Sequence, residues 1–549
     1  MNSRVLQVDS RDNVLVALTN LSRGETVEYA GKPHALISDV PAKHKFATVD
    51  LAPGDRVLMY GGVVGNAVKP IRAGELLTTS NIRHEATPFH EQKKELHWQR
   101  PDVSQWANRT FQGFVRSDGQ VGTRNYWLVV PLVFCENKNI QVLKQAFEEE
   151  LGFAAPQVYR RQVAELAKVF REGKLAGPLS SARDVSTPSE PVTRLFEHVD
   201  GIRFLLHEGG CGGTHEDSKN LCGLLAGYIH HPNVAGATVL SLGCQHAQIG
   251  ILQAEIGKRN PKFNKPLFIF EQQKSGTESA MMRDAIQQTF LGLVEADKAR
   301  RSPAPISKLC VGLKCGGSDG FSGISANPAI GHTSDLLAAL GGRTILSEFP
   351  ELCGVEQNLI DRGKSREVGD RFMQLMNEYA ARAAAVRSTF EMNPSPGNMR
   401  DGLLTDAMKS AGAAKKGGTS PVTAVLDYPE YSTEAGLNLQ CTPGNDVECV
   451  TAQVGAGASV VLFTTGLGTP TGNPIAPVVK ISTNSVLAQR MADIIDIDTG
   501  SIIDGQSSIE KMGENILEYV IQLASGELST KAEEKAQEDF IPWKRGVSL

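Results

Sequence analysis

Leu313-Lys-Cys-Gly-Gly-Ser-Asp-Gly-Phe-Ser-Gly-Ile-Ser-Ala-Asn-Pro-Ala-Ile-Gly-His332 sets a run of small and polar residues directly after the apolar stretch 309–313. Residues 315–320 can form neither a core helix nor a buried strand. They read as a strand-end loop whose backbone comes close to something polar, offering Cys315, Ser318, Asp319 and Ser322 to it. The arrangement recurs. Apolar residues 126–134 lead into Cys135-Glu-Asn137, 202–206 into His207-Glu-Gly-Gly-Cys-Gly-Gly-Thr-His215, and 237–242 into Gly243-Cys244-Gln245-His246. Between these short strands lie helical stretches such as 139–150 and 277–294. The alternation predicts an α/β body with a mainly parallel sheet covered on both faces. In such sheets ligands bind at the carboxyl ends of the strands, where these loops fall.

Outward from that body, the 549 residues exceed one core, and four segments are expected. Residues 1–84 carry turn signals about every ten residues, at Pro53-Gly-Asp, Gly61-Gly and Ala73-Gly-Glu, and predict a small all-β domain. Residues 85–110, polar and with two tryptophans, read as a linker packed on the body. An α/β domain is expected over 111–392, its long helix at 364–391 stopped by Asn393-Pro-Ser-Pro-Gly. A second α/β part spans 393–549, with a strand near 459–464, a helix at 509–524 and a charged, partly mobile tail from Ser529.

Composition narrows the class. A net charge of −5 leaves no basic stripe for nucleic acid. No apolar run approaches the roughly 20 residues of a membrane span, and the first residues lack a signal-peptide core. Nine cysteines without a C-x-x-C pair suit a reducing cytoplasm, where thiols act as metal ligands or buried small residues.

Four strand ends deliver a cysteine: Cys135, Cys211, Cys244 and Cys315. Thiolate and imidazole donors suit a transition metal such as Fe²⁺, Zn²⁺ or Mn²⁺, and His207, His215 and His246 flank the same loops. The alternative is that these thiols are buried supports under tight turns. An iron–sulfur enzyme using Cys135, Cys211 and Cys244, and a non-enzymatic small-molecule sensor, stay open beside it. Two further loops present hydroxyls, amides and backbone N–H groups suited to a carboxylate or polyol: Phe463-Thr-Thr-Gly-Leu-Gly-Thr-Pro and Cys441-Thr-Pro-Gly-Asn-Asp446. Gly316-Gly-Ser-Asp-Gly320 matches a nucleophile elbow in form. The single downstream histidine, His332, leaves no room for the elements a hydrolase places between them.

Taken together, these motifs resemble the altronate and galactarate dehydratases, hydro-lyases of sugar acids. The resemblance rests on Gly113-Phe-Val-Arg-Ser-Asp-Gly-Gln-Val-Gly-Thr-Arg-Asn125, the loop 207–213, His231-Pro-Asn233, Leu242-Gly-Cys244, Cys315-Gly-Gly-Ser-Asp-Gly, Ala326-Asn-Pro, Asn393-Pro-Ser-Pro-Gly-Asn, Thr442-Pro-Gly-Asn-Asp and Phe463-Thr-Thr-Gly. Val40-Pro-Ala-Lys-His44-Lys resembles part of the small β-clip (SAF-like) domain that precedes the body in that family. Departures are Thr78-Thr-Ser-Asn81 where a His-x-His-Asn motif is usual, Gln245 where an acid follows Leu-Gly-Cys, and Cys441 before Thr-Pro-Gly.

The resemblance implies dehydration of an aldonate, D-altronate first, to a 2-keto-3-deoxy acid, with galactarate dehydratase or a sulfolactate-type sulfo-lyase as alternatives. It implies a divalent ion, Fe²⁺ ahead of Mn²⁺, held by His207, Cys211, His215 and Cys244, and no organic cofactor. His44, Ser318 and Asp319 are expected to be catalytic. Arg124, Asn125, Cys315, Gly316, Gly317, Asn445, Asp446, Thr464 and Thr465 are expected to bind substrate. The partner is a small sugar acid, and a homo-oligomer is admitted.

Overall fold

A computed structural model describes residues 4–91, 97–154, 158–172 and 193–549. Residues up to 84 form short antiparallel strands: Val5–Leu6 with Val14–Ala17 and Lys45–Ala47, a hairpin of Thr26–Tyr29 and Lys32–Ala35, and Arg56–Met59 with Gly62–Ala67 and Ile82–Arg83. This unit is not closed on itself. Its valines and Met59 pack with Phe321, Ile324, Leu404 and Met408 of the body.

The body holds two parallel sheets. The first comprises β1 (Tyr126–Pro131), β2 (Gly201–Phe204), β3 (Val234–Ser241) and β4 (Leu267–Glu271), in the order β2-β1-β3-β4. The second comprises β5 (Cys310–Cys315), β6 (Arg343–Leu346), β7 (Val422–Leu426), β8 (Gly436–Gln440), β9 (Val460–Thr465), β10 (Val478–Ser482) and β11 (Ile497–Asp498). Its order is β7-β8-β6-β5-β9-β10-β11, parallel throughout. All residues of β5 and β9 are buried, as expected of strands covered on both faces.

Two sequence expectations are corrected here. A boundary at residue 393 would cut the second sheet, because β5 pairs with β6 on one side and β9 on the other. Backbone pairing across 150 residues outweighs the local Pro-Gly breaker that suggested the cut. In residues 85–110, Trp106 is buried and donates to Glu518 Oε1 at 2.7 Å on the helix Ile509–Ala524. The tail is anchored, since its charges and rings find partners. Glu533 pairs with Arg124, Phe540 packs edge-on against Tyr228, and Trp543 sits between Tyr379 and Tyr428.

The two sheets are joined through helices. Helix α1 (His215–His230) of the first unit crosses a helix of the second, Asp446–Gly455, where a Cβ on Gly227 would lie 2.1 Å from the Gly455 carbonyl oxygen. Only glycine permits that approach. Among the described residues no helix is long and apolar enough to cross a membrane.

Candidate active site

The second sheet changes direction at β5. From there the chain proceeds to β6 on one side and later to β9 on the other, so loops diverge at the carboxyl ends and leave a crevice. A cleft of about 720 Å³ opens there. The loops after β5, β6, β8 and β9 contribute Cys315–Ser318, Glu351, Gly444–Asp446 and Leu467 to its lining; the segment 388–398 and Lys409 complete it.

Under the cleft lies a buried charge network. Lys314, the fifth residue of β5, pairs with Glu348, with Asp446 Oδ1 at 2.9 Å and with the Gly444 carbonyl at 3.1 Å. Lys416 pairs with the other oxygen of Glu348 and donates to Cys315 Sγ at 2.8 Å. Glu351 accepts from the Cys315 thiol at 3.4 Å and pairs with Lys409 at 2.8 Å. Burial by itself would raise the Glu351 carboxyl; Lys409, Lys314 and Lys416 outweigh it and hold the group at about 2. Burial pushes the Cys315 thiol up to about 11, against the pull of Lys416. Burial opposes the charge on Lys314 too, but Glu348 and Asp446 raise it well above the ordinary value.

One wall depends on the N-terminal unit. Asp319, fully buried, accepts from Ser322 Oγ and Thr483 Oγ1, each at 3.1 Å, and pairs with Lys43 at 3.0 Å. Lys43 also reaches Asp401 at 3.1 Å. Burial would lower Lys43, yet the two aspartates raise it. Gly466 makes room for Asp319, since a Cβ there would lie 2.1 Å from the Asp319 carboxyl carbon.

Of the residues expected from sequence, Cys315, Gly316, Gly317, Ser318, Asn445 and Asp446 line the cleft together. Asp319 turns away into the network with Lys43. His44 does not line the cleft; its Nδ1 lies 3.2 Å from the Ala42 carbonyl oxygen, and burial lowers its basicity. Thr464 and Thr465 stand behind the loops, bonded to Asn327 at 2.6 Å and to the Gly468 N–H at 2.9 Å. Arg124 and Asn125 precede β1 and so lie at the opposite, amino end of its sheet. The Arg124 guanidinium is spent on Glu533 and backbone carbonyls, and the Asn125 amide on the carbonyls of His198 and Ala296.

The groups sequence reasoning passed over are Lys314, Glu348, Glu351, Lys409, Lys416 and Lys43. One signal was present: a lysine inside the apolar strand Val-Gly-Leu-Lys-Cys can be buried only with a partner. Its partner Glu348 is brought in by strand pairing from 34 residues away.

A divalent ion needs donors that are free and converge, and the donors expected to hold it are engaged or apart. His207 has both ring nitrogens engaged, Nε2 with the Pro131 carbonyl at 2.8 Å and Nδ1 accepting from the Gly209 N–H at 3.1 Å, and burial lowers it to about 4. The rings of His215 and His246 meet edge-on at 5.7 Å on the exposed side of the loops, and Cys244 accepts from Gln273 at 3.3 Å. His207 and Cys211 instead border a second cavity, about 630 Å³, closed by Phe540 and Trp543. Among the described residues the group of three donors within 4.8 Å of one another is Cys315, Glu348 and Glu351. There, Lys314, Lys409 and Lys416 already occupy the carboxylates and thiol. In the N-terminal unit, Thr78–Asn81 closes on itself, Asn81 Oδ1 accepting from the Thr78 N–H at 2.7 Å. As the side chains stand, none of these sets presents free, converging donors to a divalent ion.

Comparison with known proteins covers the chain in three blocks. Residues 3–85 match the family description "Altronate/galactarate dehydratase SAF domain", 113–297 match "D-galactarate dehydratase/Altronate hydrolase, second domain", and 306–548 match "D-galactarate/Altronate dehydratase, C-terminal". The chain is 32% identical to an altronate dehydratase of Bacillus subtilis (strain 168), over 99% of each chain. It is also 32% identical to an altronate dehydratase of Escherichia coli (strain K12), again over 99% of each. A galactarate dehydratase (L-threo-forming) of E. coli is 30% identical over 90% of this chain and 88% of its own.

Proposed function

The chain belongs to the altronate/galactarate dehydratase family, and on that premise we propose that it removes water from a sugar acid, D-altronate before galactarate, at the cleft between Cys315 and Asp446. The observation that carries the site is the meeting of a buried lysine–carboxylate–thiol network with a wall of hydroxyls and amides at the switch point of the second sheet.

The reaction breaks the C2–H bond beside a carboxylate and expels the C3 hydroxyl, and the enol then tautomerises to a 2-keto-3-deoxy acid. The C2 proton is very weakly acidic, so negative charge developing on the carboxylate must be held by fixed positive groups. Lys409 at the cleft floor is such a group; Lys314 and Lys416 lie directly beneath and keep the floor rigid and charged. A base has to reach C2 and an acid the leaving oxygen. Cys315, held between Lys416 and Glu351, lines the cleft with its proton on Sγ, directed to Glu351 Oε2, and can give that proton to the leaving oxygen. Ser388, Thr389 and Asn393 offer hydrogen bonds to a polyol, while Ser395 and Asn398 are tied to each other and to the Ser318 carbonyl.

The test is a 2-keto acid assay on D-altronate and galactarate. Altronate is expected to give the 2-keto-3-deoxy acid; turnover of galactarate with none of altronate would move the chain to the sister activity. Cys315→Ala is expected to lower kcat by about 10²- to 10⁴-fold, the usual contribution of a positioned acid or base.

A further inference from the structure

Among the described residues that line the cleft, Lys409 is the one cation, and Glu351 and Asp446 line it as anions. Lys314 and Lys416 are 0% and 1% exposed and point inward to Glu348. They steady the floor but present no N–H to a solute. Lys409 gives two of its N–H groups to Glu351 Oε1 at 2.8 Å and Asn393 Oδ1 at 2.6 Å. An ammonium has three donors, so one is left to point at a guest. Burial opposes the charge on Lys409, yet Glu351 outweighs it and raises the group above its ordinary value. Lys409 therefore meets substrate as a cation.

The charges around it decide how many carboxylates the cleft can hold. Lys314, Lys409 and Lys416 balance Glu348, Glu351 and Asp446 one for one. The floor has no surplus positive charge to attract a second anion at long range. One carboxylate is met directly by the free donor of Lys409. A second, at the far end of an aldarate, would meet hydroxyls, amides and Asp446. An ionised group drawn from water without a cationic partner is penalised.

Resting on the dehydratase reading, we propose that Lys409 anchors the carboxylate of the substrate, and that the charge balance around it selects sugar acids with one carboxylate over those with two. The experiment measures kcat and KM for D-altronate and galactarate, together with calorimetric binding of both. The purified full chain is compared with Lys409→Met and with Thr389→Lys, which adds an ammonium on the exposed outer wall.

Wild type is expected to favour the aldonate. Lys409→Met should weaken aldonate binding about 10- to 100-fold, the worth of a charge-assisted hydrogen bond. Thr389→Lys should shift the aldonate-to-aldarate ratio of kcat/KM towards the aldarate by about tenfold or more. If Lys409→Met does not fold, Lys409→Met/Glu351→Gln keeps the charges balanced and is read in its place. Equal use of both acids by wild type, or aldonate binding unchanged in the Lys409 variant, overturns the proposal. Aldonate binding that depends on Lys409 with no dehydration of any sugar acid would sink the dehydratase reading while leaving the anchor standing.

Discussion

Glu348 has left-handed backbone angles, φ 68° and ψ 57°, that glycine adopts freely and glutamate adopts at a cost of about 1–2 kcal/mol. The residue is held there because its carboxylate joins Lys314 to Lys416, both shut off from water. Glu348→Gln leaves two ammoniums without their shared anion. Urea unfolding should show a loss of about 3–5 kcal/mol, the range for breaking a buried pair. Lys45 gives a pH test of the same physics. It is wholly buried with its ammonium on the carbonyls of Lys43 and Gly402, and burial lowers it from 10.5 to about 7. The folded chain releases this proton near pH 7, and the unfolded chain holds it until near 10.5. Between those values the unfolded state binds more protons, so the contribution of Lys45 to stability rises with pH; below pH 7 it is flat and lowest. The difference in unfolding free energy between wild type and Lys45→Met should change by up to about 1.4 kcal/mol per pH unit from pH 7 to 9, in favour of wild type at high pH. A difference constant over that window would mean that Lys45 stays charged beside Asp319.

At the scale of elements, helix Asp446–Gly455 connects the cleft to the second cavity. Its cap, Asn445, accepts from the N–H groups of Val447 and Glu448 at 3.1 and 3.2 Å, so the amide oxygen of the residue expected to touch substrate is committed to the helix. The first turn then offers Asp446 to Lys314 and Glu448 to the neighbouring cavity. Asn445→Ala should cost about 1 kcal/mol by thermal unfolding and raise KM, because the turn that aims Asp446 loosens with it. The strand-end loops were legible because glycine and polar residues interrupt apolar runs. The long helix was legible from its period, and Arg366–Ala385 falls within the expected 364–391. The antiparallel pairing of Thr110–Val115 with Val121–Gly122 and Ser302–Pro305 was not legible, since one partner lies about 190 residues away and contains two prolines.

At the scale of the whole molecule, the last residues bind the two body units together. Arg545 pairs with Asp427 of the second unit, while its backbone N–H donates to Asp217 of the first at 2.8 Å. Trp543 packs against Tyr379, which itself lines the substrate cleft. Trp543→Ala should lower the melting temperature by about 2 °C, for a half-buried aromatic worth about 2 kcal/mol in a chain of this size. It should also lower kcat/KM, which a purely peripheral tail would leave alone.

By itself, the sequence determined that the chain is α/β with a β-rich start, which loops lie at strand ends, and which family it resembles. Those properties follow from local pattern: periodicity, breakers and motif order. It did not determine which loops share one cleft. Cys315 and Asp446 meet because β5 and β8 lie in the same parallel sheet with β6 between them, while the equally glycine-rich loop at His207 belongs to another sheet and borders another cavity. Nor could local pattern show that Lys314, Lys409 and Lys416 converge on Glu348 and Glu351. A buried charge is tolerated only beside its counter-charge; strand order brings Lys314 to Glu348 and Glu351, and the packing of helix Asp406–Ala413 and the turn after it adds Lys409 and Lys416.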